Sequence, residues 1–229
     1  MDVSDDSCLV LDFDGTVLDA EDSVYRVWAE LWDEHGHELA LVDWQRNIGT
    51  EDVFDPWIEL ENRLGRPLDE ALHERRHSRQ DQLLADLEPR SGVLRWLSDA
   101  DAMDLPVGIA SSSPSEWVES HLVRLGMRDR FSCIVCCDEE VPAKPDPTSY
   151  QVACRRLGAD PGASVAVEDS PHGVTAAVGA GLFTVATPHP LTIGLDLTSA
   201  DILVGSLDEL TLSEALARAI ARSHGEMAP

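Results

Sequence analysis

The chain has 229 residues, 43% hydrophobic and 26% charged, which suits one substantial core with a smaller appendage and excludes a stapled mini-protein or a disordered chain. Its 17 Lys and Arg against 43 Asp and Glu leave a formal charge of −26, spread along the sequence, which excludes a broad basic face for nucleic acid or an anionic membrane surface. Met1–Ser7 is acidic and no stretch approaches the ~18 consecutive apolar residues of a membrane span, so neither signal peptide nor membrane span is expected and a cytoplasmic location is.

Cys8–Phe13 is an apolar run closed by Asp14-Gly15-Thr16, the pattern of a buried strand ending in a turn. Val24, Val27, Trp28, Leu31 and Trp32 then recur at helical spacing up to Gly36, and helical patterning continues to about Glu88 with no convincing strand. The expected division is a core of residues 1–18 and 89–229, with 19–88 as a helical insertion. After Pro89 the character alternates. Helices are expected at Gly92–Leu97, Pro114–Leu125, Thr148–Leu157, His172–Ala180 and about Leu207–Arg222, and strands at Pro106–Ala110, Phe131–Cys136, Ser164–Val167, Leu182–Ala186 and Asp201–Val204. Ser113, Pro114 and Glu116 read as a capping box, and Thr187–Thr198 as a loop. Strands alternating with helices predict an α/β fold, a doubly wound parallel sheet covered on both faces. The 5 cysteines are odd in number and three fall in an apolar run, so Cys133 and Cys136 read as core thiols of a reducing compartment and not as metal ligands.

In an open parallel sheet, ligands bind beyond the carboxyl ends of the strands. Asp12 and Asp14 follow the first strand, Ser111–Ser113 the second, and Glu168-Asp169 the fourth, while Lys144 lies in the loop after the third. Clustered carboxylates need a cation, and oxygen donors without His or Cys suit Mg²⁺; hydroxyls and free N–H groups at a helix start suit an anion. Together they specify a site for a phosphate ester and its metal. Lys144 is the only lysine among the 17 basic residues, which points to a compact ammonium where a planar guanidinium would not fit.

These residues resemble the four motifs of the haloacid dehalogenase superfamily: Asp12-Phe-Asp14-Gly15-Thr16, Ser111 after Val-Gly-Ile-Ala, Lys144-Pro-Asp-Pro, and Glu168-Asp169-Ser170. The helical insertion resembles the small cap of its β-phosphoglucomutase-like and phosphoglycolate phosphatase-like branch. The resemblance implies a Rossmann-like core and a Mg²⁺-dependent phosphatase acting on small phosphorylated metabolites, with Asp12 as nucleophile and Asp14 as general acid and base. It further implies Mg²⁺ held by Asp12, Asp14 through its carbonyl, and Asp169, with Glu168 nearby, and phosphoryl oxygens held by Ser111, Ser112 and Lys144. Arg46 and Asn47 are candidates for substrate contact. Asp14 argues against dehalogenation, because a departing halide needs no proton. The alternatives are a sugar phosphomutase and a catalytically silent binding module. Mutases of this branch carry a cap histidine and arginine where this chain has Val24 and Thr50-Glu51-Asp52, and the intact carboxylates and lysine argue against a silent module.

Overall fold

The computed structural model describes residues 6–50, 53–137 and 141–225. Short apolar runs form the strands β1 (Leu9–Leu11), β2 (Val107–Ala110), β3 (Cys133–Val135), β4 (Val165–Glu168), β5 (Phe183–Ala186) and β6 (Ile202–Leu203). They make one parallel sheet in the order β3-β2-β1-β4-β5-β6. Its first five strands are buried along nearly their whole length, as expected for a sheet covered on both faces. From β1 the chain runs outward to β2 and β3, then returns to place β4 on β1's other side. The carboxyl end of β1 is therefore the switch point where such a sheet opens a crevice.

Two apolar layers cover the sheet. One unites Leu9, Leu11, Ile109, Val167 and Val185 with helices α5 (Val93–Ala102), α6 (Ser115–Arg124) and α9 (Leu212–Ser223). The other packs Val10, Ala110 and Ala166 against α7 (Thr148–Leu157) and α8 (Pro171–Gly179). Cys8, Cys133 and Cys154 sit in this second layer, where burial pushes the Cys133 thiol up to about 11, so it behaves as a small hydrophobe.

Between β1 and α5 lie α1 (Ala20–Glu34), α2 (Leu41–Trp44), α3 (Pro56–Leu64) and α4 (Ala71–Ala85). They enclose their own apolar cluster around Leu31, Trp32, Trp44, Ile48 and Leu60, joined by Leu191 from the loop after β5. Asp55 caps α3 by accepting the N–H groups of Trp57 and Ile58 at 2.8 and 3.1 Å, ahead of Pro56 at its first position.

The structure differs from the sequence expectation at three places. Helix α5 runs on to Ala102, because Ala100 continues its buried face. The expected last helix is a single 3₁₀ turn at Leu207–Glu209 followed by α9, restarted by a capping box of Thr211 and Glu214. The expected box at α6 does not form: Pro114 is the cap position with no side-chain bond, and the Ser113 hydroxyl donates to Asp14 at 2.6 Å instead. A carboxylate is the stronger acceptor, and it draws the hydroxyl into the crevice.

Candidate active site

The Asp12 N–H donates to Val167 O at 3.0 Å, continuing the sheet pairing one residue beyond β1 and fixing the carboxylate over the crevice. The chain then folds into a turn in which the N–H groups of Thr16, Val17 and Leu18 all reach Phe13 O. Gly15 has φ +85°, and a Cβ there would lie 2.4 Å from Asp169 Oδ2. Glycine thus allows the first-strand turn and Asp169 to approach, and Thr16 Oγ1 donates to Asp169 Oδ1 at 3.2 Å.

Lys144 is the hub. Its Nζ lies 2.6 Å from Asp12 Oδ1 and 2.6 Å from Glu168 Oε1, and the residue is 1% exposed. Glu168, fully buried, also accepts from the Tyr150 hydroxyl at 2.6 Å, from the Asp169 N–H at 3.1 Å and from Ser170 Oγ at 3.4 Å. Both of its oxygens are engaged. A Cβ at Gly173 would lie 2.0 Å from that carboxylate, so α8 needs glycine there. Burial alone would drain charge from the ammonium, but Asp12 and Glu168 outweigh it and hold Lys144 above its usual range.

Asp12, Glu168 and Asp169 bring carboxylate oxygens within 4.8 Å of one another, the group among the described residues that could hold a metal ion. Asp12 Oδ2 and Asp169 Oδ2 are buried without a hydrogen-bond partner. Two orphaned carboxylate oxygens in one crevice fit a hard divalent cation. Burial pushes the Asp12 carboxyl well up, with Lys144 pulling it back toward the charged form.

Asp14, one turn residue away, accepts from Ser113 Oγ at 2.6 Å and from the Trp117 indole N–H at 2.8 Å. Burial raises its carboxyl, against the lowering effect of those two bonds, and Asp169 adds to the rise. At the end of β2, Ser111 Oγ accepts the Ser113 N–H at 3.0 Å, while Ser112 Oγ accepts the Lys144 N–H at 3.1 Å and donates to Gly49 O at 3.1 Å. Asp12, Asp14, Ser111, Ser112, Lys144, Glu168 and Asp169 therefore converge at one end of the sheet. Arg46 is exposed, and the Asn47 amide is engaged at both ends by the backbone of Phe54, at 2.6 and 2.8 Å.

Two residues not singled out in the sequence join the site. His189, fully buried after β5, has Nε2 3.1 Å from Asp169 Oδ2 and Nδ1 3.4 Å from Asp19 Oδ1, contacts that lack good hydrogen-bond angles. Burial opposes its charge, yet the two carboxylates push it up to about 9. Its signal was its place, three residues past the end of a central strand. Glu21, in the first turn of α1, lines a cavity of about 90 Å³ with Asp12, Asp14, Gly49, Thr50 and Ser113. Burial, then Asp14 and Asp169, push its carboxyl up to about 8. The sequence carries no signal for it, because an acid in a helix's first turn is ordinarily explained by the helix dipole.

Residues 7–181 match the haloacid dehalogenase-like hydrolase family. YhcW of Bacillus subtilis is 36% identical over 90% of this chain and 94% of its own length. The validoxylamine A 7′-phosphate phosphatase of Streptomyces hygroscopicus subsp. limoneus is 28% identical over 88% of this chain and 94% of its own. Among solved structures, CbbY from Rhodobacter sphaeroides in complex with phosphate superposes with TM-score 0.72 at 25% identity, covering 93% of this chain and 99% of that one. The chain belongs to the haloacid dehalogenase-like hydrolase family and is an enzyme of its phosphatase-type branch.

Proposed function

We propose that the protein hydrolyses phosphate monoesters of small metabolites, with Mg²⁺, through a covalent phosphate on Asp12. The observation that carries this reading is the split of the Asp12 carboxylate: Oδ1 is held by Lys144 at 2.6 Å, while Oδ2 is buried and unpartnered toward the crevice. Asp12 and Asp169, with the Asp14 carbonyl, would hold the metal. It would supply positive charge that offsets the repulsion between an anionic nucleophile and an anionic ester. Glu168, with both oxygens engaged, holds Lys144 in place.

In the first step an Asp12 oxygen attacks phosphorus in line and the bond from phosphorus to the ester oxygen breaks. Asp14 gives its proton to the departing alkoxide. Its raised carboxyl suits an acid that must still hold a proton near neutrality. In the second step Asp14, now a carboxylate, takes a proton from water as that water attacks the phosphorus, releasing inorganic phosphate and the free Asp12 carboxylate. Ser111, the Ser112 N–H and Lys144 hold the phosphoryl oxygens. Ser113 and Trp117 position Asp14 through the bonds described above.

The helical segment 19–88 acts as a cap. It meets the core through Ser112 Oγ to Gly49 O, Gln45 Nε2 to Leu191 O at 2.7 Å, and His172 Nδ1 to Ile48 O at 3.0 Å. The mutase alternative is not favoured: Val24 packs against the cap's own apolar cluster, and Thr50 lines the crevice without a positive charge. Glu51 and Asp52 lie outside the described residues. No helix among the described residues is long and apolar enough to cross a membrane. The test is release of inorganic phosphate from p-nitrophenyl phosphate and a panel of sugar phosphates with and without Mg²⁺. Turnover only with metal is expected, and full turnover in chelator would contradict the reading.

A further inference from the structure

We infer that Arg90 is a positioning residue of the metal site: from the point where the cap's two connections meet, it ties the turn that carries the Asp14 carbonyl to the end of β4 that carries Asp169. This deepens the phosphatase reading and rests on its assignment of that carbonyl and Asp169 to the metal.

One half of the clamp is backbone. Leu18 and Pro89, on either side of the helical segment, pair as an antiparallel bridge, and the Arg90 N–H donates to Val17 O at 2.9 Å. Leu18 O accepts the Gly15 N–H at 2.8 Å. That bond sets the plane of the Asp14–Gly15 peptide, and in a planar trans peptide the Asp14 carbonyl then points the opposite way, away from Leu18. With φ at +85°, Gly15 has conformations open to it that other residues lack, so the orientation depends on what pins the turn.

The other half is the guanidinium. It donates to Gly15 O, to Thr187 O at 2.9 Å and to Pro188 O at 2.9 Å, and reaches Thr187 Oγ1 at 3.5 Å. The Thr187 N–H donates in turn to the carbonyl of Glu168, the residue before Asp169, at 2.7 Å. One planar fork thus spans the catalytic turn and the segment paired with the end of β4. Burial draws the guanidinium below its ordinary value and Asp169, Asp19 and Asp12 offset part of that, yet none of its hydrogen-bond acceptors is a carboxylate. The side chain is committed to backbone shape.

Position and charge predict opposite results when this side chain is removed. Taking a cation from near Asp169 and Asp12 makes the crevice more negative, which tightens a divalent cation. Releasing the Asp14 turn from the Thr187 segment misplaces ligands on both sides of the site, which loosens it.

The experiment measures Mn²⁺ binding to the native protein, Arg90→Met and Arg90→Lys by electron paramagnetic resonance, with Mg²⁺ as competitor, beside the Mg²⁺ dependence of p-nitrophenyl phosphate turnover. Circular dichroism checks folding. Arg90→Met is expected to bind Mn²⁺ about ten- to a hundredfold more weakly, the usual scale for a group that orients metal ligands, and to need correspondingly more Mg²⁺ for half-maximal turnover. The KM for the ester at saturating Mg²⁺ should hardly move, because Ser111, the Ser112 N–H and Lys144 hold the phosphoryl group. Arg90→Lys keeps the charge without the fork and should fall between the two. Native or tighter Mn²⁺ binding in a folded Arg90→Met overturns the inference and leaves the phosphatase reading standing. If the methionine variant does not fold, Arg90→Lys decides: weakened binding supports the inference and native affinity overturns it. A native protein that neither binds Mn²⁺ nor turns over the ester overturns both.

Discussion

The Lys144 ammonium lies 2.6 Å from Asp12 Oδ1, and the second oxygen of the same carboxylate is buried without a partner. One residue thus pulls the proposed nucleophile toward its charged form, against burial, and orients it while leaving its other oxygen for a cation. Lys144→Arg should lower kcat by about a hundredfold or more, because the planar guanidinium cannot fit between Asp12 and Glu168 as a compact ammonium does. Lys144→Met should cost roughly 3–5 kcal/mol in urea unfolding, since it strands two buried carboxylates. Native kinetics in the arginine variant would remove the lysine from the site's machinery.

Asp14→Asn should discriminate by leaving group. An aryl ester departs with little help from an acid, so its turnover should fall far less than that of a sugar phosphate, which loses roughly 10²–10⁴-fold when proton transfer is removed. Equal losses on both esters would contradict the acid role.

The pH profile follows from the direction of the Asp14 shift. Its carboxyl is raised by burial, so it stays protonated to higher pH than an ordinary aspartate. Only the protonated form donates to the leaving alkoxide. The kcat/KM for an alkyl ester should therefore hold through the usual carboxylate range and fall as pH rises through the raised value. Asp14→Asn should abolish that falling limb, and an unchanged limb in the variant would assign it to another group.

Gly173→Ala tests the close packing that holds Glu168. A Cβ would lie 2.0 Å from a fully buried carboxylate, so the helix or the acid must shift. A loss of ~1–3 kcal/mol in stability is expected, the usual scale for overpacking, with activity falling further because Lys144 follows Glu168. A variant as stable and active as the native protein would show that Glu168 tolerates displacement.

Much of the site was legible because its residues directly follow apolar runs. Once Leu9–Leu11, Val107–Ala110 and Val165–Glu168 pair as parallel neighbours, Asp12, Ser111 and Asp169 must emerge at one end of the sheet. The rest depended on tertiary contacts that periodicity does not carry. Ser113 reads as a helix cap until Asp14 is placed beside it. His189 reads as a loop residue until Asp19 and Asp169 flank it. Glu21 joins them only because α1 starts beside the crevice, which no spacing in the sequence shows. Asn47 reads as a contact residue, yet its amide staples the cap loop to Phe54.

With valine and not an imidazole at position 24, hydrolysis is expected in place of phosphate shuttling. With β-glucose 1-phosphate, the protein should release inorganic phosphate and need no bisphosphate activator. Rapid formation of glucose 6-phosphate with little free phosphate would favour the mutase.

The proposed mechanism turns on a covalent phosphate on Asp12. Rapid acid quenching of the protein with a ³²P-labelled sugar phosphate and Mg²⁺, followed by peptide mapping, measures it directly. Label is expected on the peptide containing Asp12 within the first turnover, lost on a cold chase, with none on Asp12→Asn and turnover in that variant reduced by at least about a thousandfold. Native turnover with no labelled protein at any quench time, or a labelled and active Asp12→Asn, would contradict it.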